Sequence, residues 1–150
     1  RVLFRSEPNM SEHAYKPGTL PALTPYLTVQ NAEDAISFYK EAFGFEAADD
    51  PMKSENGQVV HAHMKLGDAH IMLGPEGAFD KPNKSPKSLN ILPPSGLYVY
   101  CSDVDAMYKR ALGAGASSLM EPEDSFWGDR ICKVTDRDGH EWMFATLIKE

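Results

Sequence analysis

Three histidines lie in one short stretch of the chain, and they are the first residues whose types and spacing could do chemistry. His61 and His63 are separated by a single alanine, and His70 follows soon after. Alternate residues of a β-strand share a face, so His61 and His63 should point the same way. Imidazoles placed like this could bind a metal ion, act as a general base or contact a ligand. Because no acidic fourth metal ligand is evident nearby, a polar role in ligand binding is favoured.

The second candidate is the stretch "SFWGDRICKVTDRDGHEWMF" from Ser125 to Phe144, which is rich in metal-binding and catalytic residue types. Its centre, Asp136–Gly139, is "DRDG". Aspartate accepts backbone hydrogen bonds and glycine supplies positive φ, which makes this a strong turn signal. A calcium loop would need further ligands at regular spacing and a second helix. The sequence therefore predicts a hairpin turn here.

Trp127 and Arg130, earlier in the same stretch, remain open between two interpretations. Trp127 precedes a predicted strand in a polar loop, where an aromatic ring could stack on a flat ligand. Arg130 could bind an anion, or it could pair with Asp129 or Glu141. Ligand contact and structural pairing are both compatible with the sequence.

The elements that must position these residues repeat along the chain. A strand from Leu23 to Val29 precedes a helix with an N-cap at Asn31 and an end at Gly44, and a strand-like hairpin follows. The same order of strand, helix and hairpin is predicted again from Leu97 onward, with the second helix capped at Ser102 or Asp103. The sequence thus predicts two βαβββ modules, residues 20–74 and 96–150, joined by a connector at residues 75–95 that is rich in Pro, Gly, Ser, Asn and Lys. Residues 1–19 are expected to be an N-terminal extension, with a natural start at Met10, so that the first nine residues are either vector-derived or a loose extension.

Strand periodicity assigns the side chains to faces. In the first hairpin Lys65 should oppose His70, and His63 should oppose Met72. The polar face then carries His61, His63, Lys65, His70 and Met72, and Tyr26 of the first strand points the same way, whereas Leu23, Leu27 and Val29 point toward the helix. In the second hairpin Cys132 should oppose Met143. The cavity face would then hold Arg130, Cys132, Val134, Glu141, Met143 and Ala145, with Ile131, Trp142 and Phe144 on the opposite face.

Composition and charge narrow the classes of partner. The formal net charge of -7 argues against nucleic acid or an anionic membrane. No apolar run approaches the length of a membrane-spanning helix. Two cysteines, Cys101 and Cys132, do not make a disulfide framework and are expected to be apolar lining on cavity faces, which suits a reducing cytoplasm.

Three segments carry a resemblance to a known family: "LTVQNAEDAISFYKEAFGF", "VYCSDVDAMYKRALGAGA" and "VTDRDGHEWMF". The chain resembles the vicinal oxygen chelate superfamily of glyoxalases, bleomycin-resistance proteins and extradiol dioxygenases over Leu20 to Lys149. "SFWGDRICKVTDRDGHEWMFAT" looks most like the PhnB-like branch, whose members mostly lack an assigned activity. The resemblance implies an α+β fold in which two βαβββ modules form a cupped mixed sheet with helices on the outer face. It also implies a homodimer.

The resemblance further implies where metal ligands would stand, on the first and last strand of each module. Those positions fall on Thr24, Met72, Leu97 and Met143. None is a credible ligand for a divalent cation, which needs carboxylate or imidazole donors. This departure removes the catalytic metal of the enzyme branches.

The resemblance, together with the missing metal ligands, implies a metal-free protein that binds and sequesters a small aromatic or amphipathic molecule, as in the bleomycin-resistance branch, with no cofactor and no catalytic residue. Its predicted ligand-binding residues are Tyr26, His61, His63, Met72, Trp127, Arg130 and Met143. The alternative is an enzyme of lyase, isomerase or transferase type that uses His61 or His63 as a general base or with an atypically placed metal. We expect a cytoplasmic homodimer that binds neither nucleic acid nor membrane.

Overall fold

The computed structural model describes residues 15–149, so the expected start at Met10 and most of the 1–19 extension lie outside the described residues. Two similar units follow one another along the chain. The elements are β1 (Tyr26–Val29), α1 (Ala32–Phe43), β2 (Glu46–Ala47), β3 (Met52–Lys53), β4 (Val59–Leu66), β5 (Ala69–Pro75), a 3₁₀ turn (Ala78–Asp80), α2 (Pro86–Leu89), β6 (Gly96–Tyr100), α3 (Val104–Gly113), β7 (Ser117–Asp124), β8 (Asp129–Thr135) and β9 (Glu141–Leu147). The second unit has the predicted order βαβββ, and the first has the order βαββββ because two short strands, β2 and β3, stand where the second has one.

The two long helices begin where the sequence predicts. The side chain of Asn31 accepts a hydrogen bond from the backbone N–H of Asp34 (2.9 Å), and the helix ends at Gly44 with φ of 84°. In the second unit Asp103 is the N-cap and accepts from the N–H of Ala106 (3.1 Å). Both caps satisfy a backbone N–H group in the first turn of their helix.

Each unit builds one mixed sheet. The first sheet has the order β1-β5-β4-β2, with β3 paired to β4, and the second has the order β6-β9-β8-β7. Strands β1 and β5 run parallel, as do β6 and β9, while the other neighbours are antiparallel. The predicted α+β class and the pairings of Lys65 with His70 and His63 with Met72 are confirmed. Within one chain the two units contribute separate sheets.

One core holds the two sheets together. The rings of Phe43 on α1 and Phe144 on β9 are 4.7 Å apart, and Phe43 lies 4.9 Å from Trp142. Trp142 and Phe144 are fully buried, as predicted. The helix-bearing faces of both sheets contribute to this core. Their other faces, called here the open faces, therefore lie on the outside of the chain.

The predicted turn at Asp136–Gly139 is present, and its aspartates also form hydrogen bonds with the first module. Asp136 Oδ2 accepts hydrogen bonds from the Tyr39 hydroxyl (2.5 Å) of α1 and from Trp142 Nε1 (2.9 Å). Asp138 accepts from the backbone N–H of Gln30 (2.8 Å) in the other module. Burial and the neighbouring Asp136 carboxylate raise the pKa of Tyr39 well above its ordinary value. We call Tyr39, Trp142 and Asp136 the Asp136 cluster.

The predicted register of the second hairpin is wrong by one residue. Cys132 opposes Phe144 rather than Met143, and Arg130 opposes Thr146. The cause is the turn: the N–H of Asp136 bonds the carbonyl of His140 (3.0 Å), which leaves a loop of odd length containing Gly139 at φ of 90°. A slip of one residue moves side chains to the other face.

The corrected register also relocates the cysteines. Cys132 is fully buried in the shared core, and Cys101 is partly buried against it, so the predicted cavity-face placement of both is wrong.

Near the start of the described chain, Leu23 is 84% exposed and lies before β1. Pro25 has no N–H to donate to a ladder, and the strand begins after it. No helix within residues 15–149 is long and apolar enough to cross a membrane.

Candidate functional site

The open face of the first sheet carries four of the predicted site residues. Strand β5 lies between β1 and β4, and Met72 on it pairs with Tyr26 on one side and with His63 on the other. His61 lies on the same face of β4, one alternation from His63. The sequence-predicted set of Tyr26, His61, His63 and Met72 is therefore brought together on one surface.

Tyr26 and His61 form a hydrogen-bonded pair across this face. The Tyr26 hydroxyl lies 3.0 Å from His61 Nδ1. Gly74 makes the contact possible, because a Cβ at that position would lie 2.9 Å from the Tyr26 hydroxyl oxygen and 3.0 Å from the Val60 carbonyl oxygen. Lys81 Nζ stands 5.5 Å from the centre of the Tyr26 ring. The pair is polar and reachable from solvent, since Tyr26 is 46% exposed.

Beside this pair, an aspartate and two histidines form a row. Asp49 Oδ2 lies 3.8 Å from His63 Nδ1, and His63 Nε2 lies 2.9 Å from His70 Nδ1. His63 is buried, whereas His70 is partly exposed. Burial, followed by the neighbouring His63 and Lys65, lowers the pKa of His70. The 2.9 Å contact can pass a proton between the two imidazoles, whereas the 3.8 Å separation of Asp49 from His63 is too long for a hydrogen bond.

Sequence reasoning missed the contact between His63 and His70. The two residues lie two pairs apart in the ladder, a diagonal that long side chains can bridge. Asp49 was missed altogether, because it lies between the short strands β2 and β3, where no sequence periodicity marks a face.

The open face of the second sheet carries Trp127 and Met143, and the structure adds three residues that sequence reasoning did not select. Met143 pairs with Tyr98 of β6 and with Lys133 of β8. Trp127 Nε1 donates to the Tyr98 hydroxyl (3.1 Å) and to Asp129 Oδ2 (3.2 Å). The added residues are Tyr98, Tyr100 and Asp129.

Asp129 is the centre of this arrangement. Its Oδ2 accepts hydrogen bonds from the hydroxyls of Tyr98 (2.5 Å) and Tyr100 (2.7 Å) in addition to the Trp127 indole. Only 2% of Asp129 is exposed, whereas Tyr98, Tyr100 and Trp127 are 40%, 61% and 50% exposed. A buried carboxylate thus fixes three aromatic side chains that face outward. We call Tyr98, Tyr100, Trp127 and Asp129 the Asp129 cluster.

The hydrogen bonds of the Asp129 cluster set its charge state. Those from Tyr98, and then from Tyr100 and Trp127, lower the pKa of Asp129 against the opposing effect of burial. The bond to Asp129 is also the main cause that raises the pKa of Tyr100 to about 12. At neutral pH the carboxylate is therefore ionised while both phenols keep their protons.

Arg130 does not belong to this face, so its predicted cavity-side placement is wrong. Its guanidinium donates to both carboxylate oxygens of Asp105 on α3 (3.0 and 3.1 Å) and to Asp124 (3.0 Å) on β7. The one-residue register difference turns Arg130 to the helix side of the sheet. Of its two predicted roles the structure shows pairing, with Asp105 and Asp124 in place of the expected Asp129 or Glu141.

The positions at which the resembled enzymes place metal ligands do not offer suitable donors. Thr24, Met72, Leu97 and Met143 carry neither carboxylate nor imidazole, and Leu97 packs toward the core rather than the open face. Within residues 15–149, no group of three or more His, Cys, Asp or Glu side chains is arranged to hold a metal ion. The donor set at these positions does not fit a divalent cation.

The two open faces are not joined within one chain. Both sheets turn their helix-bearing faces to the shared core, so Tyr26, His61, His63 and Met72 lie on one outer surface and Trp127 and Met143 on another. Two grooves of about 870 and 960 Å³ lie elsewhere on the described chain. They are lined by the start of α1 together with the connector or the loop before β4.

Comparison with known proteins gives the same fold and a family. The model of the Glyoxalase/Bleomycin resistance protein/Dioxygenase superfamily matches residues 19–144. Uncharacterized protein Mb0911c of Mycobacterium bovis is 36% identical over 134 residues, which cover 87% of this chain and 86% of that protein. Uncharacterized protein Rv0887c of Mycobacterium tuberculosis is also 36% identical, over 87% of this chain and 76% of its own length.

Solved structures agree at the level of fold. The crystal structure of TioX from Micromonospora sp. ML1 matches with a TM-score of 0.66 and 24% identity, over 85% of this chain and 99% of that one. A PhnB protein from Bacillus cereus, described as a putative 3-demethylubiquinone-9 3-methyltransferase, matches with a TM-score of 0.60 and 19% identity, over 84% of this chain and 99% of its own.

Proposed function

Because the chain belongs to the Glyoxalase/Bleomycin resistance protein/Dioxygenase superfamily, we propose that it binds and sequesters a small aromatic or amphipathic molecule without a catalytic metal. The observation that carries this proposal is the Asp129 cluster. Tyr98, Tyr100 and Trp127 expose large parts of their rings while their polar ends are tied to one carboxylate. Exposed rings that are already held in place contact a flat ligand at little cost in side-chain entropy.

We propose that the ligand lies between two copies of the chain in a homodimer. Small-molecule sites usually bury most of the ligand surface, and each open face by itself is exposed. If the first open face of one copy covers the second open face of the other, a two-fold axis generates two equal cavities. Each would combine Tyr26, His61 and Met72 from one copy with Trp127 and Met143 from the other.

The free thiols support a cytoplasmic location, which we propose as well. Cys101 and Cys132 are both unpaired, as expected of a protein in a reducing compartment. Burial raises the pKa of Cys132 to about 11, so this thiol is unreactive at neutral pH.

Titration with N-phenyl-1-naphthylamine, a neutral amphipathic dye, tests ligand binding. We expect the dye to quench tryptophan fluorescence, and Trp127→Ala to weaken its binding by about tenfold, the loss typical of a well-packed aromatic contact. Leu119→Ala is the matched control, because Leu119 is 50% exposed like Trp127 but lines the groove beside the start of α1. Equal affinity of the wild type and Trp127→Ala would contradict the proposal.

The two-copy cavity has a separate test. Sedimentation equilibrium of the full chain should show a dimer, and saturating dye should strengthen the association because it binds only the assembled cavity. A chain that stays monomeric yet binds the dye would overturn the shared cavity and leave the binding function in place.

The row Asp49–His63–His70 favours a second candidate function, general acid–base catalysis at the first open face. His63 Nε2 lies 2.9 Å from Nδ1 of the partly exposed His70, a distance at which a proton can pass between the two imidazoles. The alternative with an atypical metal is tested by incubation with Zn²⁺, Ni²⁺ or Mn²⁺, followed by dialysis and metal analysis. Stoichiometric metal in the wild type that is lost in the His61→Ala/His63→Ala double variant would favour the enzyme over the sequestering protein.

A further inference from the structure

The charge of Asp129 is the feature that the proposed aromatic contact does not use. The carboxylate is almost fully buried, and its partners Tyr98, Tyr100 and Trp127 are all neutral donors to one oxygen. Neutral donors stabilise an ionised carboxylate but leave its net charge in place. Because little water surrounds the carboxylate, its charge is weakly screened and acts strongly on a ligand at the cluster.

No cation of the described chain pairs with Asp129. The ion pairs found among residues 15–149 join His63 with Asp49, Lys65 with Glu46, and Arg130 with Asp105 and Asp124. Arg130 follows Asp129 directly in the sequence but points to the opposite face of β8. Lys133 is on the same face but lies further along the strand. The negative charge of Asp129 therefore remains uncompensated.

The rim around this charge is made of electron-rich rings. The ring centres of Tyr98 and Tyr100 are 5.5 Å apart, and those of Phe126 and Trp127 are 5.0 Å apart, both in edge-to-face arrangements. The faces of such rings attract cations, tryptophan most strongly. Because the phenol and indole protons are already donated to Asp129 or to each other, the site presents ring faces and negative charge to a ligand.

We propose that the Asp129 cluster binds an organic ammonium group, so that the ligand is a cationic aromatic or amphipathic molecule. This inference rests on the proposed ligand-binding function and adds the charge of the ligand to it. The net charge of -7 favours the same sign of ligand at longer range. A metal ion fits less well, because it needs several oxygen ligands and Asp129 Oδ2 already accepts three hydrogen bonds.

A pair of probes that differ in charge alone tests the inference. (3-Hydroxyphenyl)trimethylammonium and 3-tert-butylphenol have nearly the same shape, and only the first is a cation. We expect the cation to bind the wild-type protein about tenfold more tightly, which is the size of a partly desolvated cation–π contact. Isothermal titration calorimetry measures both affinities without any variant.

Two variants test whether the preference for the cationic probe depends on Asp129. Asp129→Asn should remove most of the preference for the cation. Asp124→Asn makes the same change in net charge on the helix side of the sheet and should keep the preference. Circular dichroism confirms that both variants are folded. Loss of the preference in both variants to the same extent would overturn the assignment to Asp129 and indicate an effect of overall charge.

The outcomes separate this inference from the proposed function. If the wild type binds N-phenyl-1-naphthylamine but binds the two probes equally, the charge inference is overturned and the binding function stands. If the wild type binds neither the dye nor either probe, both are overturned.

Discussion

Two nearly buried aspartates, at opposite ends of β8, each hold aromatic side chains by hydrogen bonds, but in different surroundings. Asp129 begins the strand, and Asp136 follows its last residue. Each carboxylate is nearly buried and accepts hydrogen bonds from tyrosine hydroxyl and tryptophan indole donors. Both clusters therefore consist of an acid that fixes aromatic side chains.

The two clusters differ in whether their aromatic rings are buried or exposed. Tyr39 and Trp142 of the Asp136 cluster are fully buried and belong to two modules, so their hydrogen bonds hold the chain together. Tyr98 and Trp127 of the Asp129 cluster belong to one module and face outward. The carboxylate that fixes buried rings stabilises the fold, whereas the carboxylate that fixes exposed rings leaves them accessible to the proposed ligand.

Removing the Asp136 carboxylate should have the largest effect on stability. In Asp136→Ala the buried Tyr39 hydroxyl and Trp142 indole lose their acceptor, as do the backbone N–H groups of Asp138 and His140. Each unsatisfied buried donor costs about 1–3 kcal/mol, so we expect a loss of at least about 3 kcal/mol in the free energy of unfolding. Urea denaturation followed by circular dichroism measures it.

Asp129→Ala is the comparison for that experiment. Its aromatic donors are exposed enough to bond water instead, so its loss of stability should be clearly smaller. Equal losses in the two variants would show that the Asp129 cluster is as structural as the Asp136 cluster, and would remove the distinction between them.

The next largest effect is expected at alkaline pH, where ionisation of Tyr39 should lower the free energy of unfolding. Its folded-state pKa is raised well above 10.0 by burial and by Asp136, so the stability it contributes is complete below pH 10 and is lost as pH rises above that value. In Tyr39→Phe we expect a loss of about 1 kcal/mol at neutral pH and a flatter decline above pH 10. An unchanged decline in the variant would contradict this assignment, and urea titrations at a series of pH values measure it.

Most of the fold could be predicted from the sequence because the helix caps, the turns and the hydrophobic periodicity all indicated the same elements. Asn31 and Gly44 mark one helix, and the two hairpins repeat in the same order. Trp142 was correctly predicted to be buried. The register of the second hairpin failed because "DRDG" is compatible with loops that differ by one residue, and only the Asp136–His140 pairing decides between them.

The candidate site was less predictable, because its key contacts join residues far apart in the chain. Tyr98 and Tyr100 alternate along β6 like any half-exposed pair, and nothing in the sequence connects them to Asp129. Their meeting depends on β9, which lies between β6 and β8 in the sheet. Asp129 was considered only as a partner for Arg130, which the structure places on the other face.

The two tryptophans should differ in access to solvent, which is a smaller effect than unfolding. Trp127 is 50% exposed and Trp142 is fully buried. We expect acrylamide to quench the wild-type protein mainly through Trp127, and the Stern–Volmer constant to fall several-fold in Trp127→Phe, where only the buried indole remains. If the variant is quenched as strongly as the wild type, Trp142 is accessible and the Asp136 cluster is not the sealed core described above.

The smallest effect is expected at Arg130, directly after Asp129 in the sequence. Its ion pairs with Asp105 and Asp124 are partly exposed, with 34% of the Arg130 side chain accessible. Exposed ion pairs contribute about 0–1 kcal/mol, so Arg130→Gln should lower the free energy of unfolding by less than about 1 kcal/mol. Because the guanidinium lies on the helix side, the variant should also keep the wild-type affinity for (3-hydroxyphenyl)trimethylammonium. A large change in that affinity would mean that Arg130 reaches the ligand, and that the two faces of β8 do not divide function and structure as the two aspartates suggest.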